Sequence, residues 1–201
     1  MRRMLLSAVA PRVLPARMVL LCAALLLVAA KAHAAPAVLG ICYDYGCKAR
    51  DEISFDDALF DTLGEMLRTA DDAVSERYAI SAVVARMYVE AGRQTPIWRD
   101  HGGDANDEGI GSMDCIDHAT NTTTFLKLLQ ARGLLRFHDV GAPVKRGFFA
   151  EHWAAQISQR GSGAAYMVDS WFYDFGMPAI VMALPDWRAG QRPPGIMAGF
   201  R

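Results

Sequence analysis

Cys115, His152 and Asp169 supply, in that chain order, a nucleophile, a base and an orienting acceptor. A cysteine nucleophile needs a base to take its proton, and the base needs an acceptor that fixes its ring. Cys115 falls where a helix is expected to begin: a run opening at Asp114-Cys115-Ile116-Asp117 and stopped by Gly133 carries Ala119, Phe125, Leu126, Leu128 and Leu129. Unpaired N–H groups and the helix dipole favour an anion at such a position, so a thiol there turns more readily into nucleophilic thiolate. His152 opens one arm of an expected hairpin and Asp169 lies on the other, with Gln159-Arg160-Gly161-Ser162-Gly163 as the turn. A turn centred between Arg160 and Gly161 sets His152 directly opposite Asp169 on one face, with Cβ atoms about 5 Å apart. A slip of one residue would put them on opposite faces.

The other cysteines are accounted for by the chain's start. Arg2, Arg3, Arg12 and Arg17 precede the uncharged apolar run Met18–Ala30, and Ala32-His33-Ala34 follows as a small-residue cleavage signal. This layout is that of a secretory signal peptide over residues 1–34. Its apolar run would make about 20 Å of helix, short of the roughly 30 Å hydrocarbon core of a bilayer. The expected mature domain is 35–201, in the periplasm or secreted, with no stable membrane span after cleavage. Cys22 leaves with the signal. In an oxidising compartment Cys42 and Cys47, separated by Tyr43-Asp44-Tyr45-Gly46, are expected to pair, and no further soft ligands stand near them for a metal. Cys115 is then the odd thiol, either reactive or buried and inert.

Removing the signal also changes the charge. The whole chain of 201 residues has a net charge of −1, but all 22 acidic residues lie after Ala35 while five of the 21 basic ones lie before it. The remaining domain is acidic, which gives no reason to expect a nucleic-acid partner.

These residues must be positioned by secondary structure. A first helix is expected over Ser54–Thr69, with Ser54 and Asp57 as a capping pair and Phe55, Leu59, Leu63 and Met66/Leu67 at helical period. A second runs from Asp72 to Ala91, with Val74, Tyr78, Val83/Val84, Met87 and Tyr88 as its core face. Residues 93–113 read as a long loop, and loops of that length are often functional. After the cysteine helix, strands are expected at Leu135–Val140, Phe148–Ile157, Ala164–Tyr173 and Ala179–Leu184. Helices first and an antiparallel sheet after make an α+β fold.

Other groups compete for roles. His118, three residues after Cys115, is a rival base. Gln94, Asn106, Gln156 or the backbone N–H of Cys115 could donate to an oxyanion. Trp98, Trp153 and Trp171 could wall a cleft or pack in the core. His101 and His138 read as ordinary loop and strand residues, and the sequon Asn121-Thr122-Thr123 as helix surface. Asp104-Ala105-Asn106-Asp107-Glu108-Gly109 is patterned like half an EF-hand loop. Cys115 falls where such a loop needs its bidentate Glu, so the segment reads as a solvated acidic loop.

Cys-x-Asp-x-Ala at the helix start, His152-Trp153 opening a strand and Val168-Asp169-Ser170-Trp171 closing the next resemble the three-box signature of the transglutaminase-like superfamily of papain-like cysteine enzymes. The likeness covers residues 110–173. The chain has Asp169-Ser170 where that family more often has Asp-Pro. The resemblance implies a cysteine helix packed on an antiparallel sheet, with Cys115 as nucleophile, His152 as general base and acid, and Asp169 as orienter. It implies no cofactor, although some exported members depend on calcium through acidic residues beside the cysteine, here Asp114 and Asp117. The expected activity is acyl transfer from an amide in a peptide or protein substrate, with water as acceptor in a peptidase or amidase. Transfer to an amine would make a crosslinking transglutaminase, and the same fold could serve as a non-catalytic binding module.

Overall fold

The computed structural model describes residues 35–103, 109–147 and 151–191. The signal segment 1–34, most of the acidic loop with Asn106, positions 148–150 of an expected strand, and the Pro193-Pro194-Gly195 tail lie outside them.

The described chain begins with sheet, not helix. Strands β1 (Ala37–Tyr43) and β2 (Ala49–Phe55) pair antiparallel as a two-stranded sheet. The helix expected from Ser54 therefore starts too early. Ile53 and Phe55 are buried while Glu52 and Ser54 are exposed, which is the period-two alternation of a strand. Helix α1 (Asp57–Arg68) is capped by Asp56, whose Oδ1 accepts the Leu59 N–H at 2.8 Å. Cys42 and Cys47 form the expected disulfide at the hairpin's tip.

Helix α2 (Ala73–Gly92) is capped by Asp72. Its buried stripe is Glu76, Ile80, Val83, Val84, Met87, Tyr88 and Ala91, at helical spacing. Val74 and Tyr78 were expected in that core and are instead exposed, 51% and 76%. Each sits two positions before a stripe member, about 200° round the helix. The long loop contains a short 3-10 helix, Pro96–Arg99.

Helix α3 (Cys115–Ala131) starts and ends where the residue pattern predicts. Asp114 and Asp117 form a capping box, and Gly133 takes a positive φ of 69° just beyond the helix end. α3 packs on the main sheet and on β1. Asn121 is fully buried, not on the surface, because its amide bridges the backbone N–H and C=O of Cys42, both at 2.8 Å.

The main sheet is antiparallel: β3 (His138–Val140), β5 (His152–Gln159), β6 (Ala165–Asp169) and β7 (Ile180–Ala183) lie in that order, with β4 (Val144–Arg146) pairing β5 as well. These strands are shorter than expected, and β4 and the terminal helix α4 (Leu184–Arg188) were not anticipated. Alternate residues of the sheet serve two cores. Ala155, Ile157 and Val168 join the large one with α1, α2 and α3, while Ala154 and Met167 join Phe172, Leu184 and Trp187 in the smaller. The mixture of helices with antiparallel sheets is α+β. Among the described residues no helix is long and apolar enough to cross a membrane.

Candidate active site

Cys115 is the first residue of α3, half-buried, and the one free thiol among the described residues. Asp114 Oδ1 accepts the N–H groups of Ile116 and Asp117, both at 2.9 Å. Cys115's own N–H has no partner among the described residues and remains available to an oxyanion. The thiol lies 4.0 Å from the carbonyl oxygen of Glu151, just before β5.

His152 Nε2 is 2.6 Å from Asp169 Oδ2. The register that achieves this differs from the expected one. Ala155 pairs with Val168 and Ser158 with Ala165, so Asp169 is offset by two residues from the position across from His152. The turn is centred one residue later, between Gly161 and Ser162, with Gln159 N–H donating to the Ala164 carbonyl at 2.8 Å. An even offset preserves the face, so the two side chains still meet on the diagonal.

Asp169 is buried, and its second oxygen accepts the Trp171 N–H at 3.0 Å, which fixes the carboxylate plane. The imidazole is enclosed by Trp171, Phe172 and Trp187, with ring centroids 4.9, 5.1 and 6.0 Å away. Burial opposes a charge on this ring. The hydrogen bonds with Asp169 and the Cys115 thiol, and the charges of both, outweigh it and push His152 up to about 9. With Nε2 committed to Asp169, Nδ1 is the nitrogen left for the thiol. The structure joins His152 to Asp169 and sets Cys115 beside the imidazole.

The rivals are placed elsewhere. His118 is buried and bonded through both ring nitrogens, to Ser170 Oγ at 2.8 Å and to Asp100 Oδ2 at 3.0 Å. Gln94 is tied to the backbone of Ser54. Gln156 lies along β5 beside Gly141. His101 is exposed near Asp174, but His138 is more than an ordinary strand residue, since it forms a fully buried pair with Glu76. Of the tryptophans, Trp171 borders the candidate site and Trp98 is 56% exposed. Asp100 and Ser170 carried no signal in residue type or spacing.

Among the described residues, the carboxylates beside Cys115 are engaged in the fold. Asp117 spends its oxygens on the N–H groups of Cys47 (2.5 Å) and Asp114 (3.4 Å), and Asp114 Oδ1 is spent on the first turn. Asp117 also lies with Cys42 and Cys47 in a cluster close enough to hold a metal, but both sulfurs are spent in the disulfide.

No family model, no curated protein and no solved structure matches this chain.

Proposed function

We propose that this protein is an exported, cysteine-dependent acyl-transfer enzyme that hydrolyses amides in peptide or protein substrates, on a papain- or transglutaminase-like arrangement. The observation that carries this reading is the His152–Asp169 hydrogen bond beside a free thiol at a helix N-terminus. The disulfide is in keeping with an oxidising compartment outside the cytoplasm.

The chemistry follows from the geometry. Cys115 attacks the amide carbon as the thiolate, its proton held by His152. The oxyanion of the tetrahedral intermediate is met by the Cys115 N–H. His152 then protonates the leaving amine and a thioester remains. Water, deprotonated by His152, attacks the thioester, and collapse returns the acid product and the thiol. Asp169 holds the ring and stabilises its charge throughout. An amine in place of water would give the crosslinking reaction by the same steps.

The test is alkylation of Cys115 by iodoacetamide at about pH 6, where an unperturbed thiol with a value near 8.5 reacts slowly. Fast labelling of the native protein, lost in His152→Ala, is the expected result. Slow labelling in both would leave Cys115 an ordinary thiol and the domain a binding module.

A further inference from the structure

A second polar cluster lies largely inside the fold. Asp100 follows the 3-10 helix, and its Oδ1 accepts the Met113 N–H at 2.7 Å while Oδ2 meets His118 Nε2 at 3.0 Å. One carboxylate thereby holds the residue two before Cys115 and the residue three after it. His118 Nδ1 continues to Ser170 Oγ at 2.8 Å. Ser170 is the residue directly after Asp169. Its hydroxyl also meets Thr122 at 3.0 Å and Tyr88 at 3.2 Å, from α3 and α2. Asp100, His118, Thr122 and Tyr88 are each at most 4% exposed.

Asp100, His118 and Ser170 are also the residue types of an acid–base–serine nucleophile set, at bonding distances. Space decides against that role. The cavity they line with Tyr88 and Met113 has a volume of about 10 Å³. That is room for one water and not for an acyl group.

The geometry points to a positioning relay: Asp100, His118 and Ser170 tie the Cys115 end of the candidate triad to its Asp169 end through the protein interior. This inference rests on the enzymatic reading above. The physical case is directional. Apolar packing of α3 on the sheet is non-directional and tolerates small slides, whereas a buried hydrogen-bond chain with every member satisfied fixes one arrangement. A displacement of about 1 Å in a reacting group costs up to about a hundred-fold in rate. A chain running Met113–Asp100–His118–Ser170–Asp169 removes that freedom without touching the thiol or His152.

The experiment measures iodoacetamide labelling of Cys115 against pH, alongside thermal melting, in the native protein and in His152→Ala, Ser170→Ala, Ser170→Thr and Asp100→Asn. Ser170→Ala removes one hydroxyl from a half-buried site and is expected to melt cooperatively. Its labelling at about pH 6 should fall by about ten-fold or more, with Ser170→Thr recovering most of the rate. Asp100→Asn should slow labelling likewise and serves as the second probe should Ser170→Ala fail to fold. A lowered melting temperature with native labelling rates in the folded variants would mean a purely structural cluster, and the relay falls. Equal labelling of the native protein and His152→Ala would instead overturn the enzymatic reading, and the relay with it.

Discussion

At the scale of single residues the charge state of His152 governs what the site can do. Its ring is held protonated up to about 9, against burial, by Asp169 and Cys115. A histidine raised above its unfolded value of about 6.5 contributes stability that is complete below that value and lost as pH rises through about 9. The same titration can be read chemically. An anionic alkylating reagent is attracted by the imidazolium beside Cys115, and a neutral one is not. The rate of iodoacetate labelling relative to iodoacetamide should therefore fall as pH rises through about 9 in the native protein. In Asp169→Asn the carboxylate's support is gone, so the fall should move down towards the ordinary imidazole range. Turnover should drop by about 10²–10⁴-fold once a substrate is in hand. An unmoved fall in the ratio would detach Asp169 from His152. The three residues of the candidate site stood out in the sequence because each carries a chemical type and a local pattern. Ser170 and Asp100 were not, since a serine after a strand and an aspartate in a loop are common and only tertiary contact unites them with His118.

At the scale of elements, the N-terminal hairpin is clamped onto the start of the cysteine helix. Asp44, Tyr45, Gly46 and Cys47 all have left-handed backbone, with φ between 57° and 65°. Non-glycine residues resist that region by about 1–2 kcal/mol each. The tip is held there by the disulfide, by the Cys47 N–H on Asp117, and by the Asp44 N–H on the Ser112 carbonyl at 2.8 Å. Replacing both cysteines, Cys42→Ser with Cys47→Ser, should cost about 2 kcal/mol by loop-closure entropy, read as a shifted urea midpoint. Asp117 adds a pH signature. Burial first, and the neighbouring Asp114 charge, raise its carboxyl to about 6, although the Cys47 N–H pulls the other way. A carboxyl raised in the folded state contributes stability that is complete below its unfolded value of about 4 and lost as pH rises through about 6. Asp117→Asn should abolish that part of the loss, so its urea midpoint should fall less than the native one between about pH 4 and 7. A parallel fall in both would mean that Asp117 is charged at no cost. The helix carrying Cys115 was readable from its cap and its glycine stop. The hairpin was not, because one face of β2 is solvated and its apolar residues run straight into the helical period of α1. The register of β5 and β6 was missed by two for a related reason: Gly161 and Gly163 both accept positive φ, so composition alone does not centre the turn.

At the scale of the molecule, helix α2 is fastened to the main sheet by a buried hydrogen-bonded pair far from the candidate site. Glu76 and His138 are both fully buried, with Oε2 and Nδ1 2.8 Å apart, and Glu76 also accepts the N–H groups of Arg136 (2.6 Å) and Phe137 (2.9 Å). Burial works against the Glu76 charge, but His138 and the two backbone donors outweigh it and hold the carboxyl below its ordinary value. A depressed carboxyl contributes stability that is present above its unfolded value of about 4.5 and lost as pH falls through the folded one. Glu76→Ala strands the Arg136 and Phe137 N–H groups and His138 Nδ1 and should cost about 3–5 kcal/mol. That is a large part of the 5–15 kcal/mol typical of a domain. Glu76→Gln keeps an acceptor oxygen and should lose less. His138 pairs with Gln159 at the last residue of β5, while His152 is its first. The two sites are thus about 23 Å apart along the strand, beyond the range at which mutational effects usually couple. Glu76→Ala at low temperature should therefore label at Cys115 at the native rate while unfolding at much lower urea. A loss under about 1 kcal/mol would show the pair to be dispensable for folding, and slowed labelling in the folded protein would show that the sheet transmits strain along its length.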